Sequence, residues 1–128
     1  MLAVLLVFLG AGLGGALRHG VNIGAARLLG AGFPWGTLTV NVVGSLAMGL
    51  LAAWFGLRSG SSQHMRLFLT TGILGGFTTF STFSLDSVVL YERGEGGVAL
   101  LYILASLLLS VAALFAGLYV VRMVSAGQ

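Results

Sequence analysis

The chain has 128 residues, 58% of them hydrophobic and 7% charged, with a mean hydropathy of +1.07. A soluble domain averages about 25% charged residues, so this chain has too little polar surface to cover a water-soluble body and its solvent is lipid. The absence of cysteine excludes disulfides, thiol catalysis and zinc–thiolate sites, and six scattered arginines against three acids do not make the basic patch or stripe of a nucleic-acid face.

Charges divide the chain into apolar runs. Residues 2–17 carry none, and the apolar pattern continues past Arg18 towards Ala26. No basic stretch precedes this run, as one would in a secretory signal, so it reads as a retained first span. Residues 28–57, 67–85 and 96–121 are also free of charge. A helix needs about 20 apolar residues to cross the hydrocarbon core. The pattern therefore predicts an all-α integral membrane protein, a single domain over 1–128, with spans at about 2–27, 36–57, 66–91 and 97–122. The connections hold turn residues: Gly30, Gly32 and Pro34; then Ser59, Gly60, Ser61 and Ser62; then Gly94 and Gly96. Pro34, the one proline, precedes the second span, where a missing N–H costs least.

Arginines near helix ends bias the cytoplasmic side. Arg58, Arg66 and Arg122 fall at one side and Arg18, Arg27 and Arg93 at the other. That balance gives no preference, so copies inserted both ways could meet antiparallel. The glycine pairs Gly10/Gly14, Gly20/Gly24 and Gly72/Gly76 read as packing residues that let helix backbones approach in lipid. Four spans in 13.2 kDa have little interior of their own, which favours an oligomer on size alone.

Polar residues inside the spans carry the functional signal. Asn41 lies in the uncharged second span, where an amide must join helices or face a solute. The third span places Gly72, Gly75 and Gly76 beside Thr78, Thr79, Ser81 and Thr82. Two conformations fit: a break around 75–79, whose freed carbonyls would hold a cation, or a continuous helix whose hydroxyls bond back to the preceding turn. Phe80 and Phe83 share one helix face; they either pack or line an anion path with the positive rims of their rings. In the fourth span Tyr102, Ser106 and Ser110 form one polar stripe, for interhelical bonding or for a path. The first acid is Asp86, so the first two spans offer no titratable carboxylate for proton-coupled export. His19 and His64 sit near predicted span ends. No metal constellation, activated nucleophile or phosphate loop is present, which argues against an enzyme.

Gly75-Gly76-Phe77-Thr78-Thr79-Phe80-Ser81-Thr82-Phe83 resembles the Gly-Gly-x-Thr-Thr-Phe-Ser-Thr-Phe signature of the Fluc (CrcB) family of fluoride channels. Gly36-Thr37-Leu38 followed by Asn41, Arg18 late in the first span, and the stripe at Tyr102, Ser106 and Ser110 resemble other members in the same order, across essentially the whole chain. The resemblance implies an antiparallel, dual-topology homodimer with two pores in the bacterial inner membrane. It implies that Asn41 donates to fluoride and that Phe80 and Phe83 present ring edges to it, paired across subunits. Thr37, Ser81, Thr82, Tyr102, Ser106 and Ser110 would complete the polar path. Backbone carbonyls of Gly75 and Thr78 would hold a structural sodium ion at the dimer centre, and Arg18 would be structural or vestibular. Asp86 departs from the glutamate expected there, and its shorter reach puts any vestibule role in doubt. Some members of this family work as paired, nonidentical subunits.

The expected activity is passive, selective fluoride efflux, with neutral donors replacing the ion's water and binding it weakly enough to release it. The alternatives are a dual-topology small multidrug transporter, which would need a carboxylate in the first span, and a noncatalytic subunit of a membrane complex, which would show no flux of its own.

Overall fold

The computed structural model describes residues 1–127, all helix and short connections with no strand among them. Four helices are long and apolar enough to cross a bilayer: Leu2–Leu29, Trp35–Leu57, Gln63–Glu92 and Gly96–Ala126. Their ends lie within four residues of the expected spans 2–27, 36–57, 66–91 and 97–122. Gly30 ends the first span at φ 83° with its N–H on the Ala26 carbonyl at 3.0 Å. Gly94 (φ 79°) turns the chain from the third span to the fourth. A side chain would strain either position.

Missing side chains hold the helices together. A Cβ on Gly10 would lie 2.7 Å from the Phe68 carbonyl oxygen and 2.8 Å from Gly72 Cα. Gly14 abuts the Ile73 carbonyl and Gly76 the Ala11 backbone. The first span and residues 63–77 thus approach backbone to backbone, as the Gly10/Gly14 and Gly72/Gly76 spacing predicts. A second seam joins the second and fourth spans, where Gly49 meets the Leu114 carbonyl and a Cβ on Gly117 would lie 2.7 Å from the Leu50 nitrogen. Gly20 and Gly24 differ from expectation: nothing lies within 4 Å of either position. The outer faces are apolar, with Leu5, Leu9, Leu13 and Leu17 exposed on the first span and Leu100, Leu104, Leu107 and Leu108 on the fourth. In lipid such exposure costs nothing.

The third span is irregular. Leu67–Leu74 is wound as a π-helix, a wide winding frequent at functional sites. Helical bonding stops at Phe77 and resumes at Phe80. Between them Thr78 (φ −84°, ψ 158°) and Thr79 (φ −154°, ψ 122°) are extended. The two halves remain joined in one span with a bend of 14°.

Candidate functional site

Asn41 answers the backbone at that extended pair. Its Oδ1 accepts from the Thr79 N–H at 2.8 Å, and its Nδ2 donates to the Thr79 carbonyl at 3.0 Å. One side-chain amide therefore satisfies both polar groups of a residue 38 positions away, in surroundings where an unpaired group costs several kcal/mol (about 2–7 by the choice of reference). Only one of the two Nδ2 protons is used, so one donor of Asn41 remains. Gly44 makes room for this arrangement, since a Cβ there would collide with the Thr78 methyl.

The same contacts redirect the local N–H groups. In an unbroken helix Thr79 N–H would bond the Gly75 carbonyl and Thr82 N–H the Thr78 carbonyl. Here Thr79 N–H goes to Asn41, and Thr82 N–H goes to the Thr79 hydroxyl at 3.2 Å. Gly75 and Thr78 are thus two residues whose carbonyls lose their regular donors. The Thr79 hydroxyl caps the helix Phe80–Glu92. It donates to Thr82 Oγ1 at 3.2 Å and lies 3.3 Å from Ser81 Oγ. Ser81 itself is exposed.

An inner cleft of about 260 Å³ runs beside this cap, lined by Asn41, Thr79, Phe80, Phe83, Ser106 and Ser110 among others, with no charged side chain. The hydroxyls of Ser106 and Ser110 are buried and make no hydrogen bond of good geometry among the described residues, with Ser106 beside the Tyr102 hydroxyl. A buried hydroxyl without a partner costs about 1–3 kcal/mol, and both of these line the cleft that holds Asn41. Phe80 and Phe83 lie 5.5 Å apart between ring centroids, tilted by 50°. Phe80 is 78% exposed, so its outer side is uncovered by the described residues.

An outer cleft of about 320 Å³ opens towards the 30–34 connection and is lined by Asn22, Thr37, Thr82, Asp86 and Arg93. Tyr102 partitions the two clefts. It is fully buried, edge-on to Phe33 of the outer cleft at 5.5 Å and tilted against Phe83 of the inner one at 5.4 Å. Its hydroxyl donates to Asp86 Oδ2 at 3.0 Å, which commits its single proton to the acid. Thr37 is buried at the edge of the outer cleft. Arg18 lies mid-helix in the first span, half-buried, and lines neither cleft. The structure thus gathers Asn41, Phe80, Phe83, Ser106 and Ser110 in the inner cleft and Thr37 and Thr82 in the outer, with Tyr102 between them.

A family model described as CrcB-like protein, Camphor Resistance (CrcB), matches residues 5–118. The chain belongs to the CrcB family. A relative from Methylobacterium nodulans is 62% identical over 122 residues, covering 95% of this chain and 98% of its own. One from Rhodopseudomonas palustris is 58% identical over 121 residues, covering 94% and 98%. One from Agrobacterium fabrum is 54% identical over 118 residues, covering 92% and 94%. Each of the three is named a fluoride-specific ion channel FluC.

Sequence reasoning missed two parts of this CrcB site. Asn22 lines the outer cleft and presses on Gly36, where a Cβ would meet the Asn22 side chain; an amide in the first span was the available signal. The Asp86–Tyr102 bond joins residues 16 apart across a turn, and no spacing marks such a pair.

Proposed function

We propose that this CrcB protein is a passive, selective fluoride channel that lets fluoride leave the cytoplasm, working as an antiparallel, dual-topology homodimer in the bacterial inner membrane. The observation that carries the reading is the inner cleft, where the unpartnered hydroxyls of Ser106 and Ser110 lie with the spare N–H of Asn41. Fluoride is small and strongly hydrated, so crossing lipid requires donors in place of water. Neutral donors bind it without the grip of a fixed cation, and conduction needs binding weak enough to leave. The N-terminus of the helix Phe80–Glu92 adds a partial positive charge beside the same cleft. The names of the relatives support fluoride as the ion.

Within this reading Asn41, Ser106 and Ser110 donate to the ion, and Phe80 and Phe83 turn ring edges towards it. Thr37, Ser81 and Thr82 extend the polar path, with Arg18 structural or at a vestibule. The buried Tyr102 separates the two clefts and its proton is held by Asp86, so its part in the path is to position the rings and Asp86 rather than to donate freely. The exposed ring of Phe80 and the near balance of arginines favour a second copy in the opposite orientation. The extended pair Thr78–Thr79 serves as the break of the third span. The Gly75 and Thr78 carbonyls, deprived of their regular donors, suit a hard cation such as sodium. When bound, sodium would supply a modest positive field near the path.

Fluoride efflux from liposomes holding this protein alone, followed with a fluoride electrode beside a chloride control, tests the reading. Fast fluoride release with chloride retained is expected. Folded, reconstituted protein that releases neither ion would refute the homodimeric channel.

A further inference from the structure

The opposite end of the molecule carries a different chemistry. All three acids, Asp86, Glu92 and Glu95, belong to the end with the outer cleft, and the one ion pair among the described residues is Arg93–Glu95 there, at 3.1 Å. The other end carries Arg58, Arg66, Arg122 and His64 with no acid in the turn between the second and third spans. Among the described residues neither Arg58 nor Arg66 has a carboxylate partner.

Arg58 and Arg66 line one cleft of about 550 Å³. The Arg58 guanidinium lies 4.7 Å over the Trp54 ring, which stacks the cation without neutralising it. The Ser61 hydroxyl donates to the Arg58 carbonyl at 3.0 Å and the Thr70 hydroxyl to the Arg66 carbonyl at 2.7 Å, so the backbone carrying each arginine is fixed. Arg58, Gln63 and Arg66 are exposed at the cleft, while Phe55 is buried and Leu67 half-buried in its lining. The lining is therefore cationic where it meets water and apolar where it meets the helices.

We propose that this cleft holds the headgroup of an anionic phospholipid from the surrounding bilayer, its phosphate on Arg58 and Arg66 and the start of its acyl chain along the half-buried Leu67. The planar guanidinium matches phosphate oxygens in a two-pronged fashion. The place of the cleft, where a Trp and Arg pair ends an apolar span, and the presence of Leu67 in a largely polar lining favour a lipid over free phosphate. Leu67, Thr70 and Thr71, at i, i+3 and i+4 of the third span, share this lining.

Trp54 can report occupancy. The chain has two tryptophans, so Trp35→Phe leaves Trp54 alone. In phosphatidylcholine vesicles, phosphatidylglycerol with brominated chains should quench Trp54 half-maximally at about a tenfold lower mole fraction than brominated phosphatidylcholine. Arg66→Gln should remove most of that preference. Arg122→Gln, the same charge change at the same end but outside the cleft, should leave it. Equal losses from the two variants would mean general surface charge and overturn the proposal, as would identical curves for the two lipids. Excess inorganic phosphate should not restore the fluorescence; restoration would mean a free-phosphate site and overturn the lipid assignment. Arg58→Gln repeats the test should Arg66→Gln fail to fold.

Discussion

The two halves of the third span are held in opposite ways. Residues 63–77 meet the first span through glycines whose backbones touch, with no side-chain hydrogen bond crossing that seam. The half Phe80–Glu92 is held by polar and aromatic side chains: Asn41 on Thr79, Tyr102 on Asp86, and Phe83 on Tyr102. In lipid, apolar contact between helices has little hydrophobic drive, so tight backbone packing is the device that holds a seam. Where Gly10, Gly14, Gly72 and Gly76 meet the facing backbone, no room for a solute is left between the helices. The side held by side chains leaves two clefts and two unpartnered hydroxyls. On the proposed reading the first half is scaffold and the second carries the path.

That contrast predicts different failures on the two sides. Gly14→Leu should have the largest effect, because its Cβ would run into the Ile73 carbonyl and the Phe77 nitrogen, backbone atoms that cannot turn aside. The cost should reach or exceed ~3 kcal/mol, the upper part of the usual overpacking range. It would be read as loss of a monodisperse gel-filtration peak and of the thermal transition. A well-folded Gly14→Leu protein would break the scaffold half of the comparison.

Asn41 tests the junction between the halves. Asn41→Ala strands both polar groups of Thr79, at about 1–3 kcal/mol each. Fluoride flux should fall at least about tenfold, a barrier change of ~1.4 kcal/mol. Asn41→Asp, with its carboxyl ionised at high pH, keeps the acceptor for the Thr79 N–H but loses every donor. It should melt between Ala and wild type yet conduct as poorly as Ala. If its flux instead follows its stability, Asn41 is a clamp and nothing more.

The four spans were legible because charge is expensive in lipid: the runs 28–57 and 96–121 mark helices before any propensity is weighed. The Gly10/Gly14 and Gly72/Gly76 seam was legible from its four-residue period, whereas Gly20/Gly24 share that period and meet nothing within 4 Å. Gly49 and Gly117 were missed, since their small partners four residues away are Ala53 and Ala113 and a search for glycine pairs passes over them. The residues of the inner cleft could be named from their polarity in an apolar span, but their bonds could not. That Asn41 spends one donor on Thr79, and that Tyr102 gives its proton to Asp86, depends on which spans meet, which local sequence does not encode. The π-helical winding of Leu67–Leu74 has no sequence signature of its own.

Ser106 and Ser110 give the smallest expected loss of stability and the sharpest test of the path. Their hydroxyls have no partner among the described residues, so Ser106→Ala with Ser110→Ala should not lower stability and should raise it, by about 1–3 kcal/mol for each hydroxyl that is dry. The deciding measurement is fluoride efflux from liposomes containing this double variant, run beside wild type with a fluoride electrode. If the hydroxyls donate to the moving ion, the variant should fold as wild type does and release fluoride at least about tenfold more slowly. Undiminished release from the double variant would contradict the assignment of the path to this cleft.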